Sequence, residues 1–109
     1  MNKINIRKGG KVNLPHETIY ESGIRGPVGI TLASIRESEP HFHKKTTEWY
    51  LVAKGSGIAN LDGKKIILRL YDVLKIPPKT IHSVKGNIEL WVITRPPWKK
   101  EDYYKVGKK

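Results

Sequence analysis

Turn-forming residues recur along this chain at short and fairly regular intervals, and this spacing restricts its fold more than any other feature. From residue 55 onward the turn-forming groups are Gly55-Ser56-Gly57, Asp62-Gly63, Tyr71-Asp72, Pro77-Pro78, Gly86-Asn87 and Pro96-Pro97. The segments between them are mostly about 4–8 residues long, which is the length of a strand and too short for most helices. Strands separated by turns every 8–12 residues or so are typical of a β-sandwich or a β-barrel.

The segments between these turns also have the composition of strands. Trp49–Ala53 is aromatic and β-branched, and Ile30–Ile35 and Ile88–Thr94 are rich in β-branched residues. Asp62-Gly63 lies between two such segments and is the strongest hairpin signal in the chain. No segment repeats its apolar residues with the period of an amphipathic helix. The sequence therefore predicts an all-β fold, a small barrel or sandwich.

The two ends of the chain give weaker signals. Ile4 and Ile6 alternate with polar residues and predict a short strand that ends at Gly9-Gly10, whereas Val12–Pro15 is predicted to be irregular. At the other end, Trp98–Lys109 is polar but contains three aromatic residues, which predicts a strap or a short helix.

One stretch concentrates residues that bind metals. His41 and His43 are separated by one residue, and in an extended strand their side chains point to the same face with Cα atoms about 6–7 Å apart. Glu48 has the opposite parity to His43, so it can face the same point only if the polar segment Lys44–Thr47 bends. Glu48 opens the apolar strand Trp49–Ala53, where an unpaired charge is costly.

Imidazole nitrogens and a carboxylate oxygen suit a divalent transition metal such as Mn, Fe, Ni, Co, Cu or Zn. The chain has no cysteine, which excludes thiolate ligands, disulfides and cysteine nucleophiles. His82 follows a proline turn and is flanked by apolar residues, so it is the best candidate for a further nitrogen ligand, whereas His16 is predicted to lie on the surface. The pair His41 and His43 by itself is also compatible with ordinary polar strand positions.

These residues follow a pattern that resembles the cupin superfamily. The first cupin motif has His-x-His, a short gap, Glu, and Gly after six more residues, and the second has Pro with His five residues later. The matching positions are His41, His43, Glu48, Gly55, Pro77 and His82. Three glycine positions of the family's motifs are occupied here by Ile35, Tyr71 and Lys79. The resemblance covers about residues 30–94.

The resemblance implies a small double-stranded β-helix, or jelly-roll barrel, with a metal inside one end. It implies that His41, His43, Glu48 and His82 bind one divalent transition metal ion per chain. It further implies one cupin-like domain over residues 1–109, with the barrel core at about 30–94 and a polar C-terminal tail at 95–109. Cupins of this kind are often homodimers, so a homodimer is expected.

Three functional hypotheses follow. The first is a small metalloenzyme of the isomerase, epimerase or dioxygenase type that acts on a small anionic or sugar-like molecule. The second is a non-catalytic module that binds a metal or a small ligand, and the third is a basic protein that binds nucleic acid. Tyr50 has the same parity as Glu48 and is predicted to face the barrel interior, which makes it the candidate catalytic residue beyond the ligands.

The charge and the hydropathy of the chain bear on its partners. Lysine and arginine together number 21 against 10 acidic residues, which gives a net charge of +11. A basic balance can indicate nucleic-acid binding, but the lysines are scattered and no helix-turn-helix, zinc finger or RNA-binding strand motif is present. We therefore expect an exposed basic surface and no nucleic-acid groove. No apolar run approaches the roughly 20 residues of a membrane-spanning helix, and the first residues do not resemble a secretory signal, so a cytoplasmic location is expected.

Overall fold

The computed structural model describes residues 3–24 and 26–106. Residues 1–2, 25 and 107–109 of the predicted domain, including Lys108 and Lys109, lie outside these ranges. Within the described residues the chain forms nine strands and two short 3₁₀ helices, and none of these residues belongs to an α-helix. The prediction of an all-β fold is confirmed.

The strands occupy most of the chain. They are β1 (Gly10–Leu14), β2 (Glu17–Glu21), β3 (Gly29–Glu37), β4 (His41–Phe42), β5 (Thr47–Leu61), β6 (Lys64–Leu68), β7 (Val73–Ile76), β8 (His82–Arg95) and β9 (Tyr104–Lys105). The 3₁₀ helices are η1 (Ile6–Lys8) and η2 (Lys100–Asp102).

All the strand pairs are antiparallel. Hydrogen-bonded neighbours follow the order β1-β2-β3-β8-β4-β9, and β5 pairs with β6, β7 and β8. Because β8 pairs with both β3 and β5, the sheet curls round into the small double-stranded β-helix, or jelly-roll barrel, of a cupin-like fold. The hairpin predicted at Asp62-Gly63 joins β5 to β6, with Leu61 opposite Lys64.

Two predicted turns are wrong, because they are bends inside long strands. β5 runs through Gly55-Ser56-Gly57, and β8 runs through Gly86-Asn87, with the two strands paired at these positions. Gly86 has φ of 152°, and a Cβ on it would lie 2.6 Å from the Cα of Gly57. Glycine allows the two backbones to approach each other closely here. Because glycine is typical of turns as well as of such close approaches, its presence in the sequence did not distinguish the two.

The prediction for the N-terminal segment is also wrong in detail. Ile6 lies in the 3₁₀ helix η1, where the side chain of Asn5 caps the backbone N–H of Arg7 at 3.0 Å. The segment predicted to be irregular contains β1, which pairs with β2 from Gly10 opposite Glu21 to Leu14 opposite Glu17. Backbone pairing, which the apolar pattern does not record, determines this strand, since every residue of β1 is exposed.

The core fills the inside of the curled sheet. Inward residues alternate along β3, β5 and β8, as expected where one face of an antiparallel sheet is buried. The core cluster consists of Ala33, Ile35, Tyr50, Val52, Ala59, Leu68, Ile76, Val84, Ile88, Leu90 and Val92. Glu48 lies on β5, His82 lies on β8, and His41 lies on β4, which pairs with β8.

The outer surface carries the basic charge. Every lysine among the described residues is exposed, as the scattered pattern predicted. In the same part of the chain, no helix is long and apolar enough to cross a membrane.

Candidate metal centre

Four buried side chains converge inside the barrel. One ligand atom from each of His41, His43, Glu48 and His82 lies within 4.8 Å of all the others, and such a group could hold a metal ion. The exposed fractions of these residues are 8%, 3%, 5% and 1%, so bulk water does not solvate them fully.

Strand geometry explains why these residues meet. His41 lies directly opposite His82 in the pairing of β4 with β8, and their ring centroids are 4.2 Å apart. His43 shares its face with His41 at 5.1 Å between the rings, as the alternation of side chains predicts. A bend at Lys44 and Lys45 then turns the chain into β5, so that Glu48 points inward despite its opposite parity.

Each of the three imidazoles is held by a hydrogen bond at its outer nitrogen. Nδ1 of His41 lies 2.8 Å from the carbonyl oxygen of Glu39, Nδ1 of His43 lies 2.7 Å from that of Asp102, and Nδ1 of His82 lies 2.9 Å from that of Thr80. A carbonyl oxygen only accepts, so each Nδ1 carries the proton. In the neutral rings each Nε2 then presents a lone pair, which is the form that binds a metal.

The inner atoms of the cluster lack partners within the protein. Nε2 of His43, Nε2 of His82 and Oε1 of Glu48 are buried without a hydrogen-bond partner. Nε2 of His82 is 2.9 Å and Nε2 of His43 is 3.6 Å from Oε1 of Glu48, but neither pair meets in the geometry of a hydrogen bond. Buried polar atoms are rarely left unpaired, so an unpaired group of acceptors fits a cation between them.

The electrostatics of the cluster keep His41 and Glu48 in the forms that bind a metal. Burial, followed by the nearby His82, lowers the pKa of His41 to about 4. Burial alone would raise the pKa of Glu48, but the adjacent imidazoles, His82 foremost, outweigh it and hold that pKa below its ordinary value. Near neutral pH, His41 is therefore uncharged and Glu48 is a carboxylate.

Tyr50 faces the interior beside this cluster. It is 6% exposed, and its ring centroid lies 6.2 Å from that of His82. Burial, followed by the negative charge of Glu48, raises the pKa of Tyr50 well above its ordinary value. The phenol therefore keeps its proton at physiological pH, where it can donate a hydrogen bond.

The C-terminal segment supports the cluster from outside the barrel core. The carboxylate of Asp102 accepts hydrogen bonds from the backbone N–H groups of Lys44, Lys45 and Thr46, at 2.9, 3.1 and 3.2 Å. Partial burial would raise the pKa of Asp102, but these donors outweigh it and lower that pKa. Since the carbonyl oxygen of Asp102 also accepts from His43, one residue contacts both ends of the bend.

Tyr103 covers the cluster next to Asp102. Its ring stacks on that of His41 with centroids 4.5 Å apart and an angle of 17° between the planes. Its hydroxyl donates to Oε2 of Glu39 at 2.8 Å. Burial and the hydrogen bond to Glu39 raise the pKa of Tyr103, so this hydroxyl also remains protonated.

Glu17 is a further carboxyl group directed toward the barrel interior. In the pairing of β2 with β3 it lies opposite the buried Ile35, which gives both side chains the same face. Burial, followed by the negative charges of Glu48 and Glu39, raises the pKa of Glu17 to about 7.

The structure brings together the four residues that the sequence singled out as ligands, and Tyr50 faces inward as its parity predicted. His16 is exposed in the turn between β1 and β2 and does not belong to the cluster. Sequence reasoning missed Glu17, Asp102 and Tyr103. The only signal for the last two was the presence of aromatic residues in an otherwise polar tail, which indicates packing.

Solved structures resemble this fold over nearly the whole chain. A variant of Pac13 from Streptomyces in complex with uridine matches 98% of this chain and 92% of its own, with a TM-score of 0.91 and 18% identity. Pac13 is described as a nucleoside dehydratase. KdgF from Halomonas sp. matches 87% of this chain and 92% of its own, with a TM-score of 0.74 and 15% identity. At these identities the likeness shows the fold alone.

Sequence comparison gives the family. The uncharacterized protein MJ1618 of Methanocaldococcus jannaschii is 30% identical over 104 residues, which span 89% of this chain and 82% of that protein. A family model described as a cupin domain matches residues 30–92, close to the range that the motifs indicated. This chain therefore belongs to the cupin family.

Proposed function

We propose that His41, His43, Glu48 and His82 bind one divalent transition metal ion per chain. The observation that carries this proposal is the arrangement of the three imidazoles, in which every Nδ1 is bonded to a carbonyl oxygen. That arrangement aims Nε2 lone pairs and a carboxylate oxygen into one buried space where the protein supplies no partner. Carbonyl oxygens bonded to metal-binding histidines fix the tautomer of the ring in just this way.

The donor set narrows the choice of metal. Three nitrogens and one oxygen suit Mn, Fe, Co, Ni, Cu or Zn, and Ca and Mg prefer oxygen ligands. Several of these metals accept more than four ligands, so the four proposed protein ligands would leave a coordination position for a small molecule. When bound, such an ion supplies a Lewis acid for a substrate oxygen or, if it is redox-active, a centre for dioxygen chemistry.

We further propose that the protein is a small metalloenzyme of the isomerase, epimerase or dioxygenase type. The substrate class would be a small anionic or sugar-like molecule, since the surface is basic and attracts anions. Pac13, which shares the fold, has been crystallised with uridine, a nucleoside that contains a sugar. Nucleosides therefore belong in the panel of substrates to be tested. Tyr50 is the candidate catalytic residue, and its protonated phenol would donate a hydrogen bond to an oxygen atom of the substrate.

Metal content tests the first proposal. His43→Ala and His82→Ala each remove one proposed ligand, and His16→Ala removes an exposed histidine outside the cluster. We expect wild type and His16→Ala to bind one ion per chain, and the two ligand variants to lose most of their bound metal. All variants must first be shown to be folded by circular dichroism. Equal metal content in all four proteins would contradict the proposed ligand set.

Turnover tests the second proposal. Metal-loaded protein is incubated with nucleosides, sugar acids and sugar phosphates, under air and under argon, and products are followed by mass spectrometry. Product that requires both the metal and air, and that contains both oxygen atoms of O₂, would identify a dioxygenase. Product under argon would identify an isomerase, an epimerase or another non-oxidative enzyme. Tight ligand binding that is lost on chelation, without any product, would instead support a non-catalytic binding module.

A further inference from the structure

The C-terminal residues 98–106, here called the strap, lie against the segment that carries two of the proposed ligands. That segment, residues 43–48, is called the ligand loop. Asp102 of the strap and the ligand loop are more than 50 residues apart in the chain but share four hydrogen bonds. No ligand motif includes Asp102, so its place in the site follows from the fold alone.

Asp102 uses both of its carboxylate oxygens. Oδ1 accepts from the N–H of Lys44, and Oδ2 accepts from the N–H groups of Lys45 and Thr46. Asp102 is only 8% exposed as a residue, and a buried carboxylate is costly unless hydrogen-bond donors surround it. Hydrogen bonds to a charged group are among the stronger ones in proteins. Three consecutive N–H groups directed at one carboxylate hold the ligand loop in its bent conformation.

The same residue orients a proposed ligand. The backbone oxygen of Asp102 accepts from Nδ1 of His43 at 2.7 Å, which leaves Nε2 directed at Glu48. Asp102 thus contacts the ligand loop at His43 and along the bend that leads to Glu48. Rotation of the His43 ring or opening of the bend would separate the two ligand atoms.

The rest of the strap holds Asp102 in position. β9 pairs with β4, with Lys105 opposite His41 and Tyr104 opposite Phe42. Tyr103 stacks on His41, and the backbone oxygen of Asp102 accepts from His43. The strap therefore contacts both histidines of the first motif.

We propose that Asp102 is a positioning residue for the metal centre, which holds His43 and Glu48 at the spacing that the ion requires. This proposal rests on the proposed metal site. If the strap favours the metal-binding arrangement, then by thermodynamic linkage a bound ion must stabilise the strap to the same extent. The strap would then be a functional part of the site.

The first test removes the carboxylate. Asp102→Asn keeps the size of the side chain but leaves one acceptor oxygen for three N–H groups, and Glu101→Gln changes an exposed neighbour in the same strap. The apo-proteins are loaded with Co²⁺, and its affinity is measured by chelator competition at a temperature at which both are folded. We expect Asp102→Asn to bind Co²⁺ about 10–100-fold more weakly, as is typical when a residue that orients a metal ligand is changed.

The visible spectrum of bound Co²⁺ separates positioning from a general loss of stability. The spectrum reports the geometry of the ligands, so we expect it to change in Asp102→Asn and to be unchanged in Glu101→Gln. Wild-type affinity and a wild-type spectrum in Asp102→Asn would overturn the proposal. Failure of wild type itself to bind Co²⁺ would overturn the metal site on which it rests.

The second test needs no variant, so it can test the coupling between the strap and the metal site even if Asp102→Asn does not fold. Hydrogen exchange of the wild-type backbone N–H groups of Lys44, Lys45 and Thr46 is measured without metal and with saturating Zn²⁺. We expect the ion to slow exchange at these groups more than at Arg69, whose N–H is bonded to the carboxylate of Asp72 in the β6–β7 turn. Equal exchange in the presence of bound Zn²⁺ would overturn the coupling.

Discussion

One prediction concerns the stability of the metal-free protein and depends on Glu17, whose pKa is raised to about 7 from an ordinary value of 4.5. A carboxyl group with a raised pKa in the folded state binds its proton more tightly there than in the unfolded state. The free energy of unfolding is therefore lowest above the folded pKa, and it rises as the pH falls from about 7 to about 4.5. The penalty is fully present at pH 8 and absent at pH 4.

The size of the effect follows from the shift. One pKa unit corresponds to about 1.4 kcal/mol, so the shift corresponds to an upper limit of about 3 kcal/mol. Glu17 is only partly buried, and screening by solvent reduces this to about 1–2 kcal/mol. Glu17→Gln removes the ionisable group, so its stability should exceed that of wild type by this amount at pH 8 and approach that of wild type near pH 4.5.

Urea unfolding of the metal-free protein, followed by tryptophan fluorescence, measures this difference at a series of pH values. Glu37→Gln is the matched control, because it removes one negative charge from an exposed position on β3. The decisive quantity is the change with pH of the stability difference between Glu17→Gln and wild type. A difference that stays constant from pH 4.5 to pH 8, or that changes as much in the control, would refute the placement of Glu17 inside the barrel.

Three further predictions concern the barrel and its surface. Gly86→Ala should lower the free energy of unfolding by about 1–3 kcal/mol in urea melts, because the added Cβ would meet the backbone of Gly57 and because alanine disfavours φ of 152°; wild-type stability would contradict the bend. Leu90→Ala should cost about 2–5 kcal/mol, since Leu90 has no exposed surface, whereas a loss below about 1 kcal/mol would argue against its packing in the core. Oligonucleotides should bind weakly, with an affinity that falls steeply with salt in filter-binding assays. Tight, sequence-selective binding would contradict the expectation that the basic surface forms no nucleic-acid groove.

The alternation of side chains along a strand and the apolar residues around Glu48 were enough to predict from the sequence which side chains face the site. Side chains alternate in a strand, so His41 and His43 had to share a face, and an acidic residue at the start of an apolar strand had to find a partner. The bend at Lys44 and Lys45 that redirects Glu48 was also required by parity, and it is present. These inferences are local, and local rules sufficed for them.

Long-range pairing is what the sequence could not reveal. Asp102 contacts the ligand loop because β9 pairs with β4, and a two-residue strand has no pattern of its own. Glu17 faces inward because its strand pairs with β3 in one particular register, and a shift by one residue would turn it outward. The glycines of β5 and β8 were misread as turns for the same reason, since their role depends on the strand opposite.

Two expectations stay predictions that solution experiments can address. A homodimer would give twice the mass of the 12.4 kDa chain in sedimentation equilibrium, and a single-chain mass at all concentrations would contradict it. A cytoplasmic location would be contradicted by recovery of the protein from the membrane or extracellular fraction of its own cells.

Anomalous diffraction from crystals of Co²⁺- or Zn²⁺-loaded protein would locate an ion bound by the four side chains. We expect one anomalous peak per chain, about 2.0–2.2 Å from Nε2 of each of the three histidines and from a carboxylate oxygen of Glu48. The Nδ1 atoms should remain bonded to the carbonyl oxygens of Glu39, Asp102 and Thr80. A peak elsewhere, binding through Nδ1, or no peak in crystals grown with saturating metal would contradict the account.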